Sequence, residues 1–338
     1  MICIYGLDEH MTFEELGAIE LLQSLRVKVN TVLPPSVQVS SNTHRILSKM
    51  GVKIQPPSEQ TFSSIKVLFV FGRAECFTLM REKGLRAEHV VYFSQSLEPT
   101  QSEIRALQDG LIDEVSLKGD YYAGDYIRKL TVAAGRGVEY RSGYTPFCNP
   151  LSSNSGLSFR DRRCDREFNV LQVVEPGDLD RPDDYKKMLC GVTTPWNLET
   201  HFYILAYEGH SISSPVSSLF LHISDKAPNA FENPLVYGAA HALMQYPSRD
   251  EGFSFEVAKA ILTGLAVVCP AKSGNLGAIR HGETGFLAST YDESAYYTSR
   301  FAWEPKLRAT MAMKAFKEFI TGGPGDADFC GGWWKEFV

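Results

Sequence analysis

Residues 237–287 read YGAAHALMQYPSRDEGFSFEVAKAILTGLAVVCPAKSGNLGAIRHGETGFL. An apolar run ends at Tyr246-Pro247-Ser248, and a polar loop then presents Asp250, Glu251 and Gly252. A helix is predicted from Phe253 or Ser254 over Phe255–Leu262, with Gly264 as its C-terminal stop. Ala266–Cys269 is a second apolar run of strand length. A glycine-punctuated loop, Ser273-Gly274-Asn275, and a turn, Gly282-Glu283-Thr284-Gly285, follow it. Strand, loop, helix and strand in that order make a parallel βαβ unit. Such sheets bind ligands where a strand feeds a helix N-terminus. The exposed N–H groups and the helix dipole there suit a phosphate.

The same alternation extends in both directions. Ile2–Tyr5, Val27–Leu33, Val67–Phe71, Val90–Phe93 and Glu114–Leu117 predict strands, with helices over Phe13–Leu25, Thr43–Met50 and Gln101–Asp109. Residues 141–166, rich in Ser, Gly, Pro, Asn and Arg, read as a linker. Strands at Phe168–Val174 and Phe202–Tyr207, a short helix at Tyr185–Cys190, and runs at Ser217–Ile223, Val236–His241 and Leu243–Tyr246 restart the pattern. The expected class is α/β with two Rossmann-like domains. Residues 1–155 form the first, 156–305 the second, and 306–338 a C-terminal helix and tail crossing back to the first.

Composition narrows the function classes. The chain has 338 residues, 44% hydrophobic and 22% charged, which suits a globular protein of two ordinary domains. A net charge of −6 argues against a strongly basic nucleic-acid protein. No apolar run approaches a membrane span, and the first residues do not make a signal peptide. The seven cysteines are scattered and never paired as CxxC, so they read as buried thiols in a reducing cytoplasm. No ligand spacing predicts a metal site.

PSRDEGFSFEVAKAILTGLAVV followed by HGETGFL resembles the C-terminal signature of retaining GT-B glycosyltransferases of the large glycogen-synthase-like group (GT4-like). Pro247, Ser248, Glu251, Gly252, Phe253, Gly264, Val267, Gly282, Gly285, Phe286 and Leu287 match its pattern in order and spacing. Three positions depart from it. Lys259 stands where that family has a second Glu that holds the nucleotide ribose, Ser254 replaces a glycine, and Gly277 replaces an acidic residue. The Arg…Lys pair expected after the first strand of the C-terminal domain is blurred, with Glu175 at one position and Arg181 near the other.

The resemblance implies a GT-B fold whose two domains face across a cleft. It implies transfer of a sugar from a nucleotide sugar to an acceptor hydroxyl with retention and without a metal ion. The nucleotide sugar is a co-substrate, by default a UDP-sugar, and no resident cofactor is expected. Glu251 and Arg181 take the catalytic roles. Ser248, Gly252, Phe253, Ser254, Lys259, Lys186 and Asn275 take the donor side; His10, Arg73 and Gln95 take the acceptor side. A short GT-B chain with a glycine-poor first domain also resembles the small phage transferases that glycosylate hydroxymethylated DNA bases. The favoured acceptor is therefore such a base in DNA, and otherwise a glycan. The departures at Lys259 and in the first domain keep two alternatives open: a weakened module that binds a sugar nucleotide or glycan, and a sugar-nucleotide epimerase.

Overall fold

The computed structural model describes residues 1–5, 18–19, 22–23, 28–32, 44, 47–48, 50–72, 75–94, 96–117, 120–142, 166–174, 182–206, 220–224, 234–245, 254–276 and 278–321. The chain divides into two compact units, one built on Met1–Pro150 and the other on Leu151–Gly323. Each is a wholly parallel sheet with crossover helices.

In the first unit, β1 (Ile2–Tyr5), β2 (Val29–Val32), β3 (Lys53–Gln55), β4 (Val67–Phe71), β5 (His89–Ser94), β6 (Glu114–Leu117) and β7 (Glu139–Ser142) pair in the order β3-β2-β1-β4-β5-β6-β7. The central strands are continuous apolar runs because both faces are covered. Leu68 and Val70 of β4 and Val90 and Tyr92 of β5 join one core with Phe77, Met80, Leu107 and Tyr126 from the helices. Those helices are α1 (Glu59–Ser63), α2 (Glu75–Glu82), α3 (Gln101–Gln108) and α4 (Asp120–Ala134). A capping box starts α3: Thr100 accepts from the Glu103 N–H, and the Glu103 carboxylate accepts from the Thr100 N–H. The Glu103 carboxylate is buried and also accepts from Tyr92 Oη at 2.8 Å and Ser94 Oγ at 3.0 Å, which ties the helix to the end of β5.

The second unit pairs β8 (Glu167–Val174), β9 (Glu199–Ala206), β10 (Phe220–Ser224), β11 (Ala242–Met244), β12 (Ala266–Pro270) and β13 (Phe286–Ala288) in the order β10-β9-β8-β11-β12-β13. Its helices are α5 (Pro182–Gly191), α6 (Pro234–Ala239), α7 (Phe255–Thr263), α8 (Ser273–Leu276), α9 (Tyr291–Trp303) and α10 (Pro305–Ile320). Phe168, Val170, Phe202, Met244, Val268, Phe301 and Met311 form the core beneath α9 and α10. Arg308 is buried there with its guanidinium over the Phe168 ring, and it donates to the Phe301 carbonyl at 3.2 Å.

Several sequence expectations need correction. Arg141 and Ser142 belong to β7, so the strand runs into the segment read as a linker. The run Val236–His241 begins inside α6, which ends at Ala239. Ser273-Gly274-Asn275 forms a helical turn. Of the C-terminal helix and tail expected over 306–338, the helix is α10, which starts at Pro305 because proline suits N1, and packs Met311 and Ala312 into the core of the second unit. The tail, residues 322–338, lies outside the described residues. Among the described residues no helix is long and apolar enough to cross a membrane.

Candidate functional site

The strand order of the second unit reverses between β8 and β11, which lie side by side with Val170 and Leu171 paired to Ala242 and Leu243. Crevices at the C-terminal ends of strands at such a switch point hold the ligands of doubly wound sheets. β8 runs into residues 175–181 and β11 into residues 246–253, the two segments in which the sequence concentrates its chemistry. Glu251, Arg181, Ser248, Gly252 and Phe253 lie in those segments, outside the described residues. In the first unit the order reverses between β1 and β4. His10 and Arg73 follow those strands in the chain and Gln95 follows β5; these three also lie outside the described residues.

The described part of the donor side centres on the start of α7. Ser254 is its N-cap residue, with extended backbone and a side chain that accepts no hydrogen bond from a helix N–H. Its hydroxyl instead lies 3.0 Å from Gln245 Oε1, just beyond β11, and 3.2 Å from Glu256 Oε2. The helix N–H groups are thus not taken up by their own cap. One turn on, Lys259 Nζ lies 3.6 Å from Glu256 Oε1. The two residues are only 6% and 8% exposed, so the pair is internal. Lys259 therefore pairs with Glu256 inside the protein. Both charges have left bulk water, so each depends on the other.

Tyr237 of α6 completes this cluster. It is fully buried, and its hydroxyl has no hydrogen-bond partner among the described residues. Burial pushes its phenol well above the ordinary value, and the neighbouring Glu256 carboxylate adds to the shift. Tyr237, Gln245 and Glu256 were not candidates from sequence. The available signal was a Glu and a Lys three residues apart in an otherwise apolar helix.

Asn275 sits in the short helix after β12, buried, with its Nδ2 donating to the Pro270 carbonyl at 3.3 Å. Its Oδ1 is buried with no hydrogen-bond partner among the described residues. A hydrogen-bond acceptor is therefore held at the C-terminal end of a strand adjacent to β11. The Gly282–Gly285 turn then leads into β13. A Cβ on Gly285 would stand 2.9 Å from the Val267 carbonyl oxygen, so the close approach of this turn to β12 admits only glycine. Lys186, in contrast, is exposed on α5, as is Lys187. Among the described residues no three His, Cys, Asp or Glu side chains group as metal ligands.

Two doubly wound parallel sheets in one chain define the architecture of GT-B glycosyltransferases, and solved structures bear this out. HepE of Anabaena, solved with UDP-glucose, matches with a TM-score of 0.71 at 14% identity over 99% of this chain and 98% of that one. A glycosyltransferase from Rickettsia africae matches at 0.66 with 8% identity over 99% and 97% of the two chains. Sucrose-phosphate synthase from Thermosynechococcus elongatus matches at 0.64 with 12% identity over 99% and 97%. No family model and no curated protein matches the sequence. At these identities the likeness establishes the fold.

Proposed function

We propose that this chain transfers a sugar from a UDP-sugar to an acceptor hydroxyl, with retention at the anomeric carbon and without a metal ion. The observation that most supports this reading is the pairing of β8 with β11 at the switch point, immediately before the two segments that carry the motif. HepE, of the same fold, was solved with UDP-glucose, which favours a uridine nucleotide as the donor. In this reading Glu251 accepts from a hydroxyl of the donor sugar. Arg181 and the start of α7 offset charge on the departing diphosphate, the electrostatic form of catalysis.

The bond changes are simple. The acceptor oxygen bonds to the anomeric carbon on the face from which the diphosphate leaves. The C–O bond to the diphosphate breaks, and a departing phosphate oxygen takes the acceptor proton. Gly252, Phe253 and Ser248 shape the donor loop, and Asn275 offers an acceptor to a donor hydroxyl. The acceptor substrate would meet His10, Arg73 and Gln95 at the strand ends of the first unit. The acceptor is a hydroxymethylated base in DNA or otherwise a glycan hydroxyl, with the net charge of −6 counting against the polyanion.

Nucleotide release from a panel of UDP-, GDP- and ADP-sugars, with and without glycan and hydroxymethylated DNA acceptors, tests the proposal. Release with a UDP-sugar and an acceptor, and a product with the donor's anomeric configuration by NMR, is expected. Glu251→Gln should lower turnover at least tenfold with an unchanged circular dichroism spectrum. Unchanged turnover would make Glu251 an ordinary helix-end carboxylate. Binding without release would favour a binding module, and conversion of the donor alone would favour an epimerase.

A further inference from the structure

The opposite edge of the second unit carries a feature that the proposed reaction does not use. α5 ends at Gly191 and β9 begins at Glu199, so the loop between them lies at the N-terminal ends of the strands, away from the switch-point crevice. Trp196 stands in this loop with its residue surface 97% exposed. An indole normally gains burial on folding, and one left almost wholly in water forgoes that stabilisation.

The loop is nonetheless tightly held. The Leu198 N–H donates to the Pro195 carbonyl at 2.9 Å, and Thr194 Oγ1 donates to the Leu198 carbonyl at 3.2 Å. Thr200 Oγ1 meets Thr194 Oγ1 at 3.1 Å, and the Glu199 N–H donates to the Arg166 carbonyl at 2.9 Å. The Thr193 N–H donates to Ser299 Oγ of α9 at 2.8 Å. One turn beyond Ser299, on the same side of α9, is Trp303, 57% exposed. Two large rings thus stand in solvent on segments joined by the Thr193–Ser299 hydrogen bond, the first of them on a loop with little freedom left to lose on binding.

We propose that this edge binds a neutral carbohydrate chain, with sugar rings stacked on Trp196 and Trp303. The C–H face of a pyranose is apolar and flat and matches an indole face, while its hydroxyls need amide and carboxylate partners at the ring edge. Exposed Asn197 and Glu199 flank Trp196 and supply both. Among the described residues the charges around the patch cancel: Arg166 and Lys306 balance Glu167 and Glu199, and Arg300 is paired with Glu304 at 2.7 Å. A patch without net charge does not attract a nucleic acid or an anionic membrane surface, and a neutral glycan needs no such attraction. This inference concerns a different edge from the donor crevice and stands or falls separately from it.

Native electrophoresis in gels containing glycogen, dextran, laminarin or hydroxyethyl cellulose tests it. At least one of these glycans should slow the wild-type protein. Trp196→Ala and Trp303→Ala should each weaken the apparent affinity at least fivefold, with Trp196→Phe retaining most of it. Both alanine variants should keep the wild-type melting temperature and UDP-glucose binding. No retardation by any of the four glycans, or retardation unchanged in both alanine variants, overturns the proposal. So does sedimentation with phosphatidylcholine–phosphatidylglycerol vesicles through the same tryptophans. Retardation in a protein that binds no nucleotide sugar would remove the transferase reading and leave this one.

Discussion

Lys259 and Glu256 form an internal pair in a helix that is otherwise apolar, so neither charge is replaceable alone. Lys259→Met should leave the Glu256 carboxylate buried without its partner and lower stability by about 3 kcal/mol in urea unfolding. Exchanging the two residues, Glu256→Lys with Lys259→Glu, should restore much of the loss. If the single change costs nothing, the pair is not the internal contact described here. Tyr237 makes the opposite case: its buried hydroxyl has no partner among the described residues. Tyr237→Phe should leave stability unchanged or raise it by about 1 kcal/mol. A clear loss in thermal unfolding would show that the hydroxyl is bonded in solution.

Elements were legible wherever burial on both faces produced a run of apolar residues. VLFVF became β4, and AVVC became the first four residues of β12. The edge strands β3 (KIQ) and β7 (EYRS) were not legible, because their exposed residues carry no apolar run. α4 was missed for another reason: its buried Tyr122, Ala123, Tyr126, Ile127 and Leu130 do have helical spacing, but the reading followed short apolar runs. At the site, Gly264 and Gly285 show how much of the motif is structural. Gly264 ends α7 in the left-handed region with φ of 83°, and Gly285 meets a backbone carbonyl. Gly264→Ala should cost about 1 kcal/mol in chemical unfolding. Gly285→Ala should cost about 2–3 kcal/mol, since the carbonyl it meets cannot swing away as a side chain could. Equal costs at the two positions would contradict the close approach at β13. The buried cluster around Glu256 was hidden from sequence because burial of a charged residue is a property of packing, not of residue type.

At the scale of the whole chain, two parallel sheets repeat one design, and each reverses its strand order beside the segments that the sequence marks for chemistry. The second sheet, with the order β10-β9-β8-β11-β12-β13, is the nucleotide-binding order of doubly wound proteins. The proposed function requires a nucleotide sugar to bind at the β8–β11 switch point. Calorimetric titration of UDP and UDP-glucose into wild-type, Glu251→Gln and Lys259→Glu proteins measures this. Saturable one-site binding to the wild type is expected. Glu251→Gln should weaken UDP-glucose more than UDP, because the contact proposed for it is to the sugar. In protein whose circular dichroism spectrum is native, Lys259→Glu should weaken both ligands by about 2 kcal/mol, because it sets a second carboxylate beside Glu256 in the helix whose start is proposed to face the diphosphate. No binding to the wild type, or binding that neither substitution alters, would contradict it.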